Sequence, residues 1–181
     1  FDPEDEADTI EAHLSRRPDA LLLTGVHHSP RARKMLLGAA IPVVEVWDMT
    51  ETPIDLCVGF SHAGAGRAMA EFAHEQGYRQ AAGICAGDER AQRRLAAFAE
   101  RFGQLGGDAV PIARTGRGSL AKGREMLSEL LDERGFAKGF IACSSDVLAE
   151  GALVEAAARG LSVPGDLAVA GFGDQELAAA V

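Results

Sequence analysis

Apolar and polar positions follow one another along this chain in two alternating textures, short aliphatic runs and longer stretches of helical period. Asp2 followed by Pro3 reads as an N-cap and first helical position, opening a helix whose Ile10 and Leu14 share a face. Ala20 to Thr24 is then a continuous apolar run, the pattern of a strand buried on both faces of a parallel sheet. Ser29-Pro30 starts a second helix that ends near Gly38. Pro42 to Val46 forms the next strand, and a loop of Thr, Glu, Pro and Asp leads to Leu56–Phe60.

After residue 61 the alternation becomes more regular. Helices are predicted over about Gly64–Gln76, Glu89–Leu105, Ser119–Arg134 and Asp146–Arg159, with Gly77, Gly106-Gly107, Gly135 and Gly160 as their stops. Strands are predicted over Ala81–Cys85, Ala109–Ala113, Gly139–Cys143 and Leu167–Phe172. Strand, helix and glycine stop recurring at this spacing predict βαβ units and an α/β fold with parallel sheets. The pattern opens on a helix with no strand before it. It closes at Asp174-Gln175-Glu176-Leu177, where a further helix begins, so the reading is of a truncated chain.

Composition narrows the classes of function. Charged residues are 25% and apolar residues 47%, a globular rather than disordered balance. No stretch approaches the roughly 18 unbroken apolar residues of a membrane helix. The formal charge of −9 argues against this segment gripping a nucleic-acid backbone by itself, which takes concentrated Lys and Arg. Cys57, Cys85 and Cys143 are odd in number and far apart, with no CxxC spacing. They read as reduced, buried residues of a cytoplasmic protein. The N-terminus resembles no signal peptide and lacks Met.

In open α/β sheets ligands bind beyond the carboxyl ends of the strands. The residues just past each predicted strand are Thr24, His27 and His28; Trp47 and Asp48; Ser61 and His62; Asp88 and Glu89; Arg114; Ser144, Ser145 and Asp146; Gly173 and Asp174. One aromatic plate among short polar side chains suits a small, hydroxyl-rich ligand. Polar βα loops also arise simply because Ser and Asp cap the next helix. Catalytic motifs are thin. Ser119 to Lys122 matches SxxK without its companions, and Gly118 and Gly123 have P-loop spacing but are followed by Arg124-Glu125. His27, His28 and His62 lack a carboxylate at ligand spacing and read as solvated loop histidines. Gly64-Ala65-Gly66 reads either as an amide nest for an anion or as a closely packed turn. Nothing in the sequence reads as an enzyme, and no cofactor or metal is implied.

The order of motifs resembles the lactose/galactose repressor (LacI/GalR) family. Gly160-Leu161-Ser162-Val163-Pro164-Gly165-Asp166-Leu167-Ala168-Val169-Ala170-Gly171-Phe172 is similar to that family's "GlxVPxDxaVxGF" segment. Cys143 to Ala152 resembles "cxNDxxAxGa", and Arg94 to Phe98 with Gly106 resembles "RxxGF…G". Phe60 to Gly66 and Gly77-Tyr78-Arg79 resemble "DNxxAG" and "GHR", while Leu22 to Arg31 and Pro42 to Asp48 look most like the gluconate-utilisation repressors. The resemblance implies a periplasmic-binding-protein-like effector core of two Rossmann-like lobes, here a partial N-terminal lobe over 1–61 and the C-terminal lobe over 62–181. It also implies a separate helix-turn-helix headpiece that reads operator DNA, a cleft that takes a small sugar or sugar acid, and a homodimer in the cytoplasm, with no membrane association.

The effector-binding residues expected on this reading are Thr24, Trp47, Asp48, Arg94, Ser145, Asp146 and Gly173. The family's effector-binding Arg falls on Arg94. Its pocket Asn falls on Ser145, a shorter group, and its pocket Asp on Gly173. Losing a carboxylate while keeping Arg94 favours an anionic ligand such as gluconate, because Arg binds a carboxylate bidentately. The alternatives are that Asp174 takes over the missing role, or that Arg94 is one surface residue among Arg90, Arg93 and Arg101. Two other functions compete: a periplasmic sugar-binding protein of the same fold, and a small α/β enzyme acting on a sugar acid.

Overall fold

The computed structural model describes residues 3–179, so the N-cap expected at Asp2 lies outside the described residues. The chain divides into two compact units, Phe1–Ser61 and His62–Val181. Each has its own parallel sheet.

The first unit holds helix α1 (Pro3–Leu14), strand β1 (Leu21–Thr24), helix α2 (Pro30–Gly38) and strands β2 (Val43–Val46) and β3 (Leu56–Val58), in sheet order β1-β2-β3. Ser29 caps α2 by accepting the Ala32 N–H at 3.2 Å, and Pro30 supplies a preset φ at its start. Ala7, Ile10, Ala32, Leu36 and Val43 form a small core between the helices and one face of the sheet. The opposite face departs from expectation. Leu22, read as part of a strand buried on both sides, is 70% exposed, and Leu56 and Val58 stand exposed on the same face. A run of aliphatic residues therefore specifies the strand here without specifying what covers it.

A small core leaves room for a polar tie. Glu45 of β2 is fully buried, and its Oε1 lies 3.1 Å from His28 Nε2, while its Oε2 accepts the Ile54 N–H at 2.7 Å. His28 Nδ1 lies 3.0 Å from Glu6 Oε1 on α1. The ring thus lies between two carboxylates, one from α1 and one from β2. The side chain of His28 is buried, so the reading of a solvated loop histidine is corrected at this position. The polar alternation of a short loop hid a residue that joins helix, loop and strand.

The second unit runs α3 (His62–Glu75), β4 (Ala81–Cys85), α4 (Glu89–Gln104), β5 (Ile112–Arg114), α5 (Leu120–Asp132), β6 (Gly139–Cys143), α6 (Asp146–Ala158) and β7 (Leu167–Ala170), with a short 3₁₀ turn over Glu176–Ala179. Its sheet order is β5-β4-β6-β7, all parallel, with Ala81 opposite Phe140 and Gly139 opposite Leu167. Central β4 is buried at every position. Phe98 stacks on Phe102 and Phe140 at centroid distances of 5.6 and 5.9 Å. The α/β class with parallel sheets is as the sequence predicts. The edge strand differs: it starts at Ile112, not Ala109, and the helix expected after Asp174 is a 3₁₀ turn.

Glycines set how closely the helices pack. A Cβ on Gly123 would sit 2.3 Å from the Leu148 carbonyl oxygen, and one on Gly151 would sit 2.2 Å from that of Leu120. Gly123 thus serves the α5–α6 contact and not a phosphate loop. Ser119 caps α5 through the Lys122 N–H, and Lys122 pairs with Glu125, which accounts for the SxxK match structurally.

Two stability outcomes follow. Removing the imidazole in His28→Ala leaves Glu45 buried with one partner fewer, an expected loss of about 3 kcal/mol in urea unfolding. Gly151→Ala forces α5 and α6 apart and is expected to cost about 1–3 kcal/mol, read as a lower urea midpoint for the second unit.

Candidate functional site

The carboxyl edge of the second sheet gathers the loops after β4, β6 and β7. Asp88 opens α4 by accepting the Ala91 N–H at 2.9 Å. From there Ala91, Leu95, Phe98 and Phe102 recur at helical spacing on the face against the sheet. Arg94 lies on that same face, three residues after Ala91 and four before Phe98, and is 7% exposed. It is not one of several surface arginines.

A guanidinium in such a place needs partners. Arg94 Nη2 donates to the Ser144 carbonyl at 2.6 Å, and its Cζ lies 3.9 Å from the centre of the Phe172 ring. Nη1 lies 2.7 Å from His62 Nδ1. Because a guanidinium only donates, Nδ1 must accept, which places the ring proton of His62 on Nε2. The same helix meets Arg94 a second time. One turn after His62, a Cβ on Gly66 would come within 2.1 Å of the Arg94 carbonyl oxygen. Gly66 therefore serves the close approach of α3 to α4. The Gly64-Ala65-Gly66 segment lies inside α3 and not in a strand-to-helix turn. His62 is buried, which corrects the expectation that it is solvated.

The neighbouring loops are tied by their own polar groups. Buried Ser144 accepts the Ala86 N–H on Oγ at 3.0 Å, joining the ends of β4 and β6. Ser145 stands at the N-cap position of α6, yet its side chain makes no capping bond. Asp146 is buried. Its backbone N–H donates to the Phe172 carbonyl, and its Oδ2 accepts the Gln175 N–H at 2.8 Å. Gly173 has φ +136°, a conformation that side-chain-bearing residues rarely adopt, and a Cβ there would lie 3.1 Å from Asp146 Oδ2. Asp174, also left-handed at φ 54°, is exposed. Arg94, Ser145, Asp146 and Gly173 thus all stand at one edge of one sheet.

Thr24, Trp47 and Asp48 stand at the corresponding edge of the first sheet, where Thr24 is opposite Val46. Thr24 is exposed. Trp47 is 60% exposed and left-handed at φ 66°, unusual for a bulky residue, with its N–H donated to the Val58 carbonyl. Asp48 is buried: Oδ1 accepts the Met49 N–H at 2.8 Å, and its carbonyl accepts the Cys57 thiol. A Cβ on Gly59 would come within 2.1 Å of that carbonyl, so the strand end packs directly on the loop that presents Trp47. His27 is exposed, as expected of a loop histidine.

The chemistry of this edge is that of binding. Cys85 and Cys143 are buried, and burial pushes both thiols above the usual range, with Asp146 adding to the shift at Cys143. Neither is a ready nucleophile. Cys57 is only half-buried, against expectation. What the edge offers is a fixed cation, hydroxyls and an aromatic face. Sequence reasoning noted His62 and Ser144 as loop residues but assigned neither to Arg94, and it passed over Phe172. The usable signal was the apolar period of α4, which places Arg94 inside and so demands an acceptor and a ring around it.

Residues 70–181 match the family described as a periplasmic binding protein-like domain. The chain is 36% identical over 173 residues to the HTH-type transcriptional regulator GntR of Pseudomonas aeruginosa, covering 94% of this chain and 50% of that protein. It thus spans about half the length of the curated relatives it matches. The structure of the transcription regulator GntR from Chromobacterium violaceum matches at 32% identity and a TM-score of 0.90, over 100% of this chain and 67% of that one. A LacI-family transcriptional regulator from Silicibacter pomeroyi matches at 30% identity and a TM-score of 0.92, over 100% and 68% respectively. These relatives are named as regulators, not enzymes. No helix among the described residues is long and apolar enough to cross a membrane. With more than half of this chain matched by that family and a LacI-family structure matched over two thirds of its own length, the chain belongs to the LacI family of transcriptional regulators, to whose periplasmic-binding-protein-like effector-binding domain it corresponds.

Proposed function

We propose that this chain is the effector-sensing part of a cytoplasmic repressor that binds gluconate or a closely related sugar acid and thereby changes the hold of a helix-turn-helix headpiece on operator DNA. The units 1–61 and 62–181 act as the partial amino lobe and the carboxy lobe, in a homodimer. The carrying observation is Arg94, a buried guanidinium at the carboxyl edge of a parallel sheet, bonded to the Ser144 carbonyl and stacked on Phe172, the residue before Gly173. A cation held in place without freedom to turn away loses little entropy on taking a ligand carboxylate. Ser145 and Asp146 are the candidates from the same edge for bonds to the ligand's hydroxyls, and Thr24, Trp47 and Asp48 are the candidates from the first unit. Relatives named GntR support the sugar-acid reading.

A switch of this kind works only if the effector binds two states unequally. Arg94 is suited to that, because its seat is built from segments of α3, α4 and the loops after β6 and β7 together.

The test is calorimetric titration of the full-length protein with gluconate, related sugar acids and neutral sugars. Saturable binding of a sugar acid is expected, weakened about 100-fold in Arg94→Ala and substantially in Arg94→Lys, which keeps charge but not the bidentate fork. Binding confined to neutral sugars, or unchanged in Arg94→Ala, overturns the proposal.

A further inference from the structure

His62 is the remaining buried titratable group at this edge, and its surroundings fix its chemistry. We infer that His62 is a positioning residue that holds Arg94 in its ligand-receiving attitude only while the imidazole is neutral, so that affinity for an anionic effector falls as the solution is acidified. The inference rests on the proposed role of Arg94.

Three observations carry it. The Arg94 Nη1 to His62 Nδ1 distance is 2.7 Å, and both side chains are buried. Arginine does not give up its proton, so the bond exists only with a lone pair on Nδ1. Protonating Nδ1 sets N–H against N–H and brings two like charges together away from water, which costs far more than at a surface. Arg94 is meanwhile held on two other sides, by the Ser144 carbonyl at 2.6 Å and the Phe172 ring at 3.9 Å. One turn along α3, Gly66 packs directly on the Arg94 carbonyl, so the helices already meet backbone to backbone and a side-chain rotation disturbs less packing than a helix shift. The two side chains must therefore part, and the guanidinium loses the acceptor that sets its attitude.

Charged and titratable groups near in the chain to His62, and to Arg94 and Phe172 which meet it, are Arg67 of α3, Glu89, Arg90 and Arg93 of α4 and Asp174 after β7, while Asp146 of α6 bonds the Phe172 carbonyl. Arg93 is paired to Glu89, and Asp146 is bonded to the Gln175 N–H. Arg94 meets the ring at bonding distance. The sign follows from that contact. Simple attraction would make an extra positive charge at residue 62 strengthen anion binding. The clamp predicts the reverse, because the added proton removes the acceptor that sets the attitude of the cation that binds.

Two measurements on the full-length protein test this. Nitrogen-15 spectra of the histidine rings are expected to show His62 neutral with its proton on Nε2, a result that needs no ligand. A doubly protonated ring at neutral pH, or an Nδ1-bound proton, overturns the clamp. Gluconate titrations run from about pH 8 to about pH 4.5, past the range over which histidine ordinarily takes up a proton. Wild-type affinity is expected to fall towards acid. His62→Asn, whose Oδ1 accepts without titrating, should keep most of the neutral-pH affinity and lose that slope. His62→Ala should bind about 10-fold to 100-fold more weakly, the scale of one hydrogen bond to a charged group. Wild-type affinity that is flat or rises on acidification, or a His62→Asn protein with the wild-type slope, overturns the inference. Unchanged gluconate affinity in Arg94→Ala instead overturns the site reading beneath it, and leaves the ring spectra to judge the clamp alone.

Discussion

A guanidinium withdrawn from water must be met by acceptors and by something polarisable, and the carboxyl edge of the second unit is arranged around meeting one. Arg94 sits on the face of α4 that Leu95, Phe98 and Phe102 commit to the core. Helix propensity and apolar period alone would bury an aliphatic residue there. Instead an imidazole nitrogen, a main-chain carbonyl and an aromatic face converge on it. Each comes from a different segment, so the position of the cation is a property of the whole edge. Removing the imidazole or the ring leaves the buried guanidinium less completely satisfied.

The glycines make that convergence possible. α3 and α4 come close enough for His62 to reach Arg94 because Gly66 has no Cβ to collide with the Arg94 carbonyl. α5 and α6 are brought together by Gly123 and Gly151 in the same way, and α6 starts with Asp146 tied to the loop after β7. The left-handed Gly173 continues that loop. A side chain there would strain the backbone and press on Asp146, so the local conformation by itself accounts for a glycine at 173.

Much of this was legible beforehand, and for identifiable reasons. Strands β4 and β6 have the predicted bounds, because each is a full apolar run framed by Gly or polar stops. The start of β5 was misplaced because Ala109-Val110-Pro111 is apolar without entering the ladder until Ile112. Burial of β1 was misread because strand patterning reports the strand's own surface and not its cover. Trp47, Arg94 and Ser145 could be named from their places after strands or from family motifs. The acceptor that fixes Arg94 could not, since His62 precedes it by 32 residues and no local pattern joins them. His28 escaped for the same reason, its two carboxylates lying on α1 and β2.

The first unit shows the complementary solution to a small core. Its apolar cluster is modest, and the fully buried Glu45 lies among it, opposite Leu23 in the sheet register. A carboxylate there stabilises nothing by apolar burial, but it binds the Ile54 N–H and, through His28, reaches Glu6 on α1. Such a network constrains direction where aliphatic contacts would allow sliding. The loop after β2 is constrained likewise by Asp48, its carbonyl and the bare Gly59, and the result is one exposed indole held in a left-handed backbone. Both units therefore spend buried polar groups on the carboxyl ends of their strands, one to fix a cation and the other to fix an aromatic plate. Precise placement of charged and aromatic side chains is what recognition of a small polar ligand requires.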